Sequence, residues 1–470
     1  MRLLRAMTTS AMVLTLSSGC SRSPEQLGLA YSAETRADQI RFLVDETWVD
    51  ENGQRHVDQE IFDEMYAIID EAEEYILLDF FLVNEFLYTP GPGMRNLSRE
   101  LVDKLVAKRK TNPEVPIVFI TDPINTVYSS IPSDGFDALE KAGVQVVWTD
   151  LNQLRDSNRF ISIPWRLFVK PFGLGPGHAV KNPMGKGRIS VRSLLKLLNF
   201  KANHRKLLVT EKSLLVTSGN PHGGSSAHWN VAWRIDGAGQ KMAVESESAV
   251  LDFSGAGEAA SLLSGVVDEP GTPAGEHQVE LLTEIRIKEK VLALLADAKP
   301  GAGIDLCMFY FSDQDVIRAF IEAKRRGCKI RVILDPNKDA FGRAKNGIPN
   351  LQTAARLVKA GIPVRWAATH GEQCHVKMLY VEQENASATL LLGSCNYTRR
   401  NMDNFNAECD VAVTARAADM NLQKARRVFD RWWNNADGRF YTTAYAAYED
   451  RSFFRRFLAW WMETTGMSSF

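Results

Sequence analysis

The chain has 470 residues, too long for one ordinary domain, so two or three are expected. Its 45% hydrophobic and 24% charged residues are values of a globular protein and exclude a disordered or fibrous chain. A net charge of −1 leaves no chain-wide attraction for nucleic acid, so any affinity for phosphate must come from local basic clusters.

The N-terminus reads Met1-Arg2-Leu-Leu-Arg5, then Ala11-Met-Val-Leu-Thr-Leu16, then Ser17-Ser18-Gly19-Cys20. A basic start, a short apolar core and small residues predict a secretory signal over residues 1–20. The apolar run is too short to span a bilayer. Ser-Ser-Gly-Cys resembles a bacterial lipobox, with Ser17 where Leu is usual. The resemblance implies acylation of Cys20, a stable lipid anchor and a cell-envelope location. Ser21 in place of Asp implies sorting to the outer membrane, facing the periplasm.

A first half is expected over 40–250. Ile61, Phe62, Met65, Ile68 and Ile69 have the spacing of an amphipathic helix. The apolar runs Tyr75-Ile-Leu-Leu-Asp79-Phe-Phe-Leu-Val and Val115-Pro-Ile-Val-Phe-Ile-Thr-Asp122 predict buried strands, followed by Leu139-Glu-Lys-Ala-Gly143-Val-Gln-Val-Val-Trp148. Residues 151–200 interrupt this plan. They carry Arg155, Arg159, Arg166, Lys170, Lys181, Lys186, Arg188, Arg192 and Lys196 against a single acid, Asp156, with Phe160, Trp165, Phe168 and Phe172 interleaved. Basic plus aromatic composition suits an anionic lipid layer or a nucleic-acid strand; an ordinary solvated excursion is the plainer alternative. Gly185-Lys186 lacks the glycine spacing and following Ser/Thr of a phosphate-binding loop.

Next comes His204-Arg-Lys206-Leu-Leu-Val-Thr-Glu211, then Ser-Leu-Leu-Val-Thr-Ser218-Gly219-Asn220. The alternation predicts a strand on which His204 and Lys206 face the same side, paired as a hairpin with the run before Asn220. Asp268-Glu-Pro270-Gly271-Thr-Pro273-Ala-Gly275 marks a linker, taken as 251–278.

A second half over 279–440 repeats the plan. Ile287, Val291, Leu292, Leu294 and Leu295 echo the first helix. Ile304-Asp305-Leu-Cys-Met-Phe-Tyr-Phe, Ile330-Arg-Val-Ile-Leu-Asp335-Pro336 and Leu357–Trp366 echo the segments after it. The second motif is His375-Val-Lys377-Met-Leu-Tyr-Val-Glu382, then Thr-Leu-Leu-Leu-Gly393-Ser394-Cys-Asn396, then Asn406-Ala-Glu408. Residues 441–470 end in Phe453-Phe454-Arg455-Arg456-Phe457-Leu458-Ala-Trp460-Trp461, an aromatic helix suited equally to a membrane interface and to packing on the body. Apart from Cys20 the cysteines are Cys307, Cys328, Cys374, Cys395 and Cys409, an odd set without CxxC and so no disulfide framework. His370, Cys374 and His375 lack a second pair at zinc spacing, and no metal site is expected.

Two copies of His, Lys and Asn suit phosphodiester cleavage. One imidazole can attack phosphorus and the other can protonate the leaving alcohol. Lys206 and Lys377 can hold the non-bridging oxygens, with Asn220 and Asn396 amides and Ser218 and Ser394 hydroxyls as further donors. Such a site needs no cofactor.

At these residues the chain resembles the phospholipase D superfamily, whose signature is H-x-K-x4-D followed by G-S-x-N or G-G-x-N. Both aspartates are glutamates here, Glu211 and Glu382. The first loop is one residue short, and Asn230 stands where cardiolipin synthases usually have Asp. The resemblance covers nearly all of residues 40–435. It implies an α/β fold of two tandem sandwich halves, packed side by side, with a shared cleft. It also implies His204 as nucleophile, His375 as acid, and Glu408 as the carboxylate that orients a catalytic His. The implied activity is a phospholipid phosphodiesterase or phosphatidyltransferase at a membrane surface, with no obligate nucleic acid and within reach of cardiolipin synthesis. A family nuclease and a non-catalytic lipid-binding lipoprotein are the alternatives.

Overall fold

The computed structural model describes residues 23–468, apart from 92, 265–274, 341–342, 345, 385, 451 and 467. The expected signal sequence with Cys20, and most of the Asp268–Gly275 segment, lie outside the described residues.

Two large mixed sheets carry the fold. The first has the strand order Arg55–Asp58, Gln39–Val49, Asn230–Asp236, Ser213–Thr217, Lys206–Thr210, Ile76–Phe80, Ile117–Thr121, Gln145–Trp148. The second runs Ser32–Ala37, His277–Thr283, Cys409–Arg416, Ser387–Gly393, Lys377–Glu382, Gly303–Met308, Lys329–Leu334, Val364–Ala367, Thr442–Ala444. From Gln39–Val49 and His277–Thr283 onward, seven strands of each sheet correspond one to one. The duplication legible in the sequence is therefore a duplication of the sheet itself. In each, the last three of these seven pair in parallel and are joined by helices, as parallel neighbours must be.

Continuous apolar runs such as Leu207-Leu208-Val209 mean that both faces of each sheet are buried. Leu207 and Val209 enter a core shared with Met378, Tyr380, Leu390 and Val411 of the other sheet. Leu208 enters a separate core under the first half's helices, and Leu379 and Val381 do the same under the second half's. The two sheets thus stack face to face, with helices Gln240–Phe253 and Met420–Asn434 sharing the core between them, and the two halves pack against each other as the resemblance implies. Helix Ile61–Glu71 buries Ile61, Phe62, Met65, Ile68 and Ile69, the predicted stripe. Two of the helices that join parallel strands begin at capping side chains: Asn96 accepts from Arg99 N–H at 3.3 Å, and Asp313 from Val316 N–H at 3.0 Å.

The boundaries differ from those expected. Strand Ser32–Ala37 precedes the first half yet pairs with His277–Thr283 of the second sheet. The supposed linker holds helix Gly257–Ser264 and the start of that strand. The second half extends past 440, because Thr442–Ala444 pairs with Val364–Ala367. Helix Met420–Asn434 follows the second sheet in the chain and bridges to the first: Arg431 pairs with Glu46 at 2.6 Å and Lys424 with Glu60 at 2.8 Å, while Asp430 pairs with Arg331 of the second sheet at 2.7 Å. These exchanges are invisible to a periodicity argument, which reads each element but not its partner. Cys307, Cys328, Cys374, Cys395 and Cys409 are buried free thiols. Among the described residues no helix is long and apolar enough to cross a membrane.

Candidate active site

The equivalent strands Lys206–Thr210 and Lys377–Glu382 begin at the lysines, not at the histidines. Each histidine lies just ahead, on extended chain held across the junction of the halves. His204 N–H donates to Ala407 O at 2.8 Å, and next to the other motif Trp229 N–H donates to Gln373 O at 3.0 Å. Each motif is therefore clamped by the other half's loop, and both histidines line one cavity of about 380 Å³.

Around each histidine the chain builds the same small assembly. The Phe81 ring lies 5.0 Å from that of His204, and the Phe309 ring 5.0 Å from that of His375. Lys206 Nζ sits 5.5 Å over Phe81 and bonds His204 O at 2.6 Å; Lys377 Nζ sits 5.2 Å over Phe309 and bonds His375 O at 2.8 Å. Both ammonium groups are buried. Burial holds Lys206 down to about 7, against the pull of Glu408 and Asp79. Burial also holds Lys377 well below its usual value, and Lys206 adds to this. A site that holds two destabilised cations is ready for an anion.

The two halves then part ways. Ser394 N–H donates to Cys409 O at 3.0 Å and Ser218 N–H to Val231 O at 2.9 Å, so Glu408 in the second half has Asn230 as its counterpart. Glu408 Oε2 accepts from His204 Nδ1 at 2.9 Å. Ser394 Oγ and Asn401 Nδ2 also donate to this carboxylate, and the Glu408 N–H donates to Glu284 Oε1 at 3.0 Å. Burial pushes Glu408 up to about 8, opposed mainly by Lys206. Three donors converging on the carboxylate favour its charged form, with His204 protonated on Nδ1 and carrying its lone pair on Nε2. Asn230 instead donates to His228 O at 3.3 Å, and among the described residues the buried His375 Nδ1 has no hydrogen-bond partner. Burial, Lys206 and Lys377 hold His204 well below the usual imidazole range. His375 is held down likewise, with Lys377 the larger of the two charges.

The remaining site candidates fall in two groups. Asn220 and Asn396 line the cavity; Asn220 Oδ1 accepts from Leu82 N–H at 3.2 Å, which leaves its amide N–H groups for the cavity. Ser218 and Ser394 do not offer their hydroxyls to the cavity: they are fully buried against Asn230 and Glu408. Glu211 and Glu382 stand at the far ends of their strands. Glu211 accepts from the N–H groups of Glu73 and Glu74 at 2.8 and 3.2 Å, and Glu382 pairs with Arg426. An Asp-to-Glu change there lies outside the cavity, since the longer side chains meet a backbone and an arginine rather than a substrate.

Sequence reasoning missed several residues. Phe81 and Phe309 were legible only as strand residues. Glu284 is buried with φ +48° and accepts from Ala30 N–H, Arg205 and Glu408 N–H, so it fixes the backbone that carries Glu408. His222 and His228 line the same cavity. A repeated, oddly placed histidine in the Asn220–Asn230 loop was the available signal for those two. The insertion also reaches the site: Met184, Leu194, Leu197 and Leu198 form an apolar wall with Leu82 and Ile124. Among the described residues no group of three or more His, Cys, Asp or Glu side chains is placed to hold a metal ion.

Known proteins resemble this chain in sequence and in fold. A family described as "Cardiolipin synthase, PLD-like domain" matches residues 291–433. Human mitochondrial cardiolipin hydrolase is 27% identical over 162 residues, 34% of this chain and 55% of that protein, so the chain spans about half the length of this relative. The crystal structure of phosphatidylserine synthase from Haemophilus influenzae superposes over 95% of this chain and 97% of that one, with a TM-score of 0.54 and 10% identity.

Proposed function

From a chain that carries the phospholipase D superfamily fold, with two halves sharing one cavity, we propose a phospholipid phosphodiesterase or phosphatidyltransferase. The observation that carries this reading is the composition of the cavity. His204 and His375, one from either half and each backed by the buried lysine two residues on, face a wall of aliphatic side chains from Leu82, Ile124, Met184, Leu194, Leu197 and Leu198. An aliphatic wall suits the glyceride of a lipid. The family description and the names of the two similar proteins point to the same chemistry.

The asymmetry between the halves suggests the roles. His204, oriented by Glu408 through Nδ1, presents the Nε2 lone pair to phosphorus. The N–P bond forms as the P–O bond to the headgroup breaks, and the leaving oxygen takes a proton from His375. Lys206, Lys377 and the Asn220 and Asn396 amides stabilise the charge on the non-bridging oxygens. The bound phosphodiester supplies the negative charge that lets His375 hold its proton. In the second step water or an alcohol gives its proton back to His375, and its oxygen displaces His204.

Two exposed arms flank this cavity. One carries Phe160, Phe168 and Phe172, and the other Phe454, Phe457 and Trp460, each more than half exposed. They meet at the cavity: Arg400, which lines it, bonds the carbonyls of Gly466 and Ser468 and stacks on Phe200 of the insertion. Interfacial aromatics around a site opening suit a lipid surface. Incubation of the purified protein with defined phospholipid vesicles, with and without added glycerol, tests the reading. Release of phosphatidic acid, or transfer of the phosphatidyl group to glycerol, is expected. Intact lipids beside cleaved single-stranded DNA would overturn it in favour of a nuclease.

A further inference from the structure

The loop between Asn220 and Asn230 brings two histidines to the cavity that the mechanism does not use. His228 is the counterpart of Asn406: Gln373 N–H donates to His228 Nδ1 at 3.1 Å, as Ala202 N–H donates to Asn406 Oδ1 at 3.1 Å. His222 Nδ1 accepts from Gly224 N–H at 2.9 Å. A backbone N–H can only donate, so in both rings Nδ1 is the unprotonated nitrogen and Nε2 carries the hydrogen. The loop is built for this placement. A Cβ on Gly223 would come within 2.4 Å of Tyr88 Cβ, and one on Gly224 within 2.8 Å of His222 Cε1.

The rings form a row beside the proposed acid. His222 and His228 are 5.9 Å apart, and His228 is 6.2 Å from His375. Both line the cavity and are more than nine-tenths buried. Burial holds His222 down to about 4 and His228 well below its usual value, with Lys206 adding to the first and His222 to the second. They are neutral donors, not cations. The polar side chains that line the cavity with them are amides, Lys201, Arg400 and Tyr hydroxyls; no carboxylate lines it among the described residues.

We infer that His222 and His228 form a headgroup subsite beside His375, two neutral N–H donors that accept a hydroxylated or anionic headgroup and disfavour a quaternary ammonium one. The inference rests on the phospholipid reading above. Hydroxyl and phosphate oxygens find donors there, whereas an ammonium group finds two N–H dipoles, two cations and no counter-ion.

The test uses the full chain and mixed vesicles of phosphatidylglycerol and phosphatidylcholine in equal amounts, so that surface charge is common to both lipids. Depletion of each lipid is followed by mass spectrometry. The wild type should consume phosphatidylglycerol at least about tenfold faster, the effect of one or two hydrogen bonds made or lost. His228→Asn should keep that ratio, because an amide supplies both the acceptor for Gln373 and a donor. His228→Phe and, independently, His222→Phe should bring the ratio close to one, whereas a merely structural defect would slow both lipids alike. Equal consumption by the wild type, or an unchanged ratio in both Phe variants, overturns the subsite alone. Consumption of neither lipid overturns the phospholipid reading and the subsite with it.

Discussion

Glu408 and Asn230 occupy equivalent positions in the two halves, and in the proposed mechanism this one difference gives two histidines of the same motif different work. Substitution of either His204 or His375 by Ala should lower turnover of a phospholipid by several orders of magnitude, since nucleophile and acid act as a unit. Glu408→Gln keeps the shape but replaces the carboxylate with an amide, whose NH2 can face Nδ1 and turn His204 to the wrong tautomer. It should cost about 10²–10⁴ in kcat, by analogy with other His-orienting carboxylates. Steady-state assays of the three variants check this; near-normal activity in any of them would contradict the assignment. Lys206 gives a pH signature. Its pKa is held down to about 7, so its charged form prevails below that pH and is lost above it. Because the charge is needed to hold the phosphodiester, kcat/KM on a soluble diester should fall as pH rises through about 7–8. Lys206→Arg, which cannot lose its proton in this range, should lessen that fall and leave the part that Lys377 contributes. His204, Lys206, Asn220, His375, Lys377 and Asn396 were legible in the sequence because spacing along one strand or loop marks them, and Glu408 only through the family resemblance. The carboxylate's dependence on Glu284, and the burial of the Ser218 and Ser394 hydroxyls, were not, because both arise from contacts between distant segments.

The elements outside the two sheets decide what reaches the site. The sequence reading treats residues 151–200 as a basic surface. The structure divides them: helix Val191–Leu197 turns Leu194 and Leu197 into the cavity, whereas helix Arg159–Phe168 leaves Phe160 and Phe168 at 75% and 70% exposure. Several of the basic residues are also already committed. Arg166 pairs with Asp156, Arg188 bonds the carbonyl of His178, and Lys196 is buried over Trp165. Arg159, Lys170 and Lys181 remain exposed. Neutral replacement of these three should weaken binding to anionic vesicles by about two orders of magnitude at low salt, at about 1 kcal/mol per charge. Activity on a soluble diester should barely change. Phe160, Phe168, Phe454 and Trp460 replaced by Ser should act in the same sense through lost insertion. Vesicle sedimentation beside a soluble-substrate assay separates the two effects, and equal loss in both would mean that the arms shape the site instead. Helix and strand identities were legible from periodicity; which helix covers the cavity was not, since the same apolar stripe fits a core and a cleft.

At the scale of the whole molecule, neither half is complete. His204 belongs to the first and its carboxylate to the second; Ser32–Ala37 closes the second sheet, and helix Met420–Asn434 braces the first. The duplication and its α/β layers were readable in two copies of one element order, but the face-to-face stacking and the exchanged elements were not. Residues 38–264 and 275–470 expressed separately should therefore show no measurable turnover; activity from either fragment alone would contradict a shared site. The central claim is that His204 attacks phosphorus. It is tested most directly by mixing the His375→Ala variant with a phosphatidyl ester of p-nitrophenol, a leaving group that needs no acid, then quenching and mapping the adduct by mass spectrometry. The account predicts a burst of p-nitrophenol and a phosphatidyl group on the peptide that contains His204. A burst without an adduct at His204, or no burst at all, would contradict it.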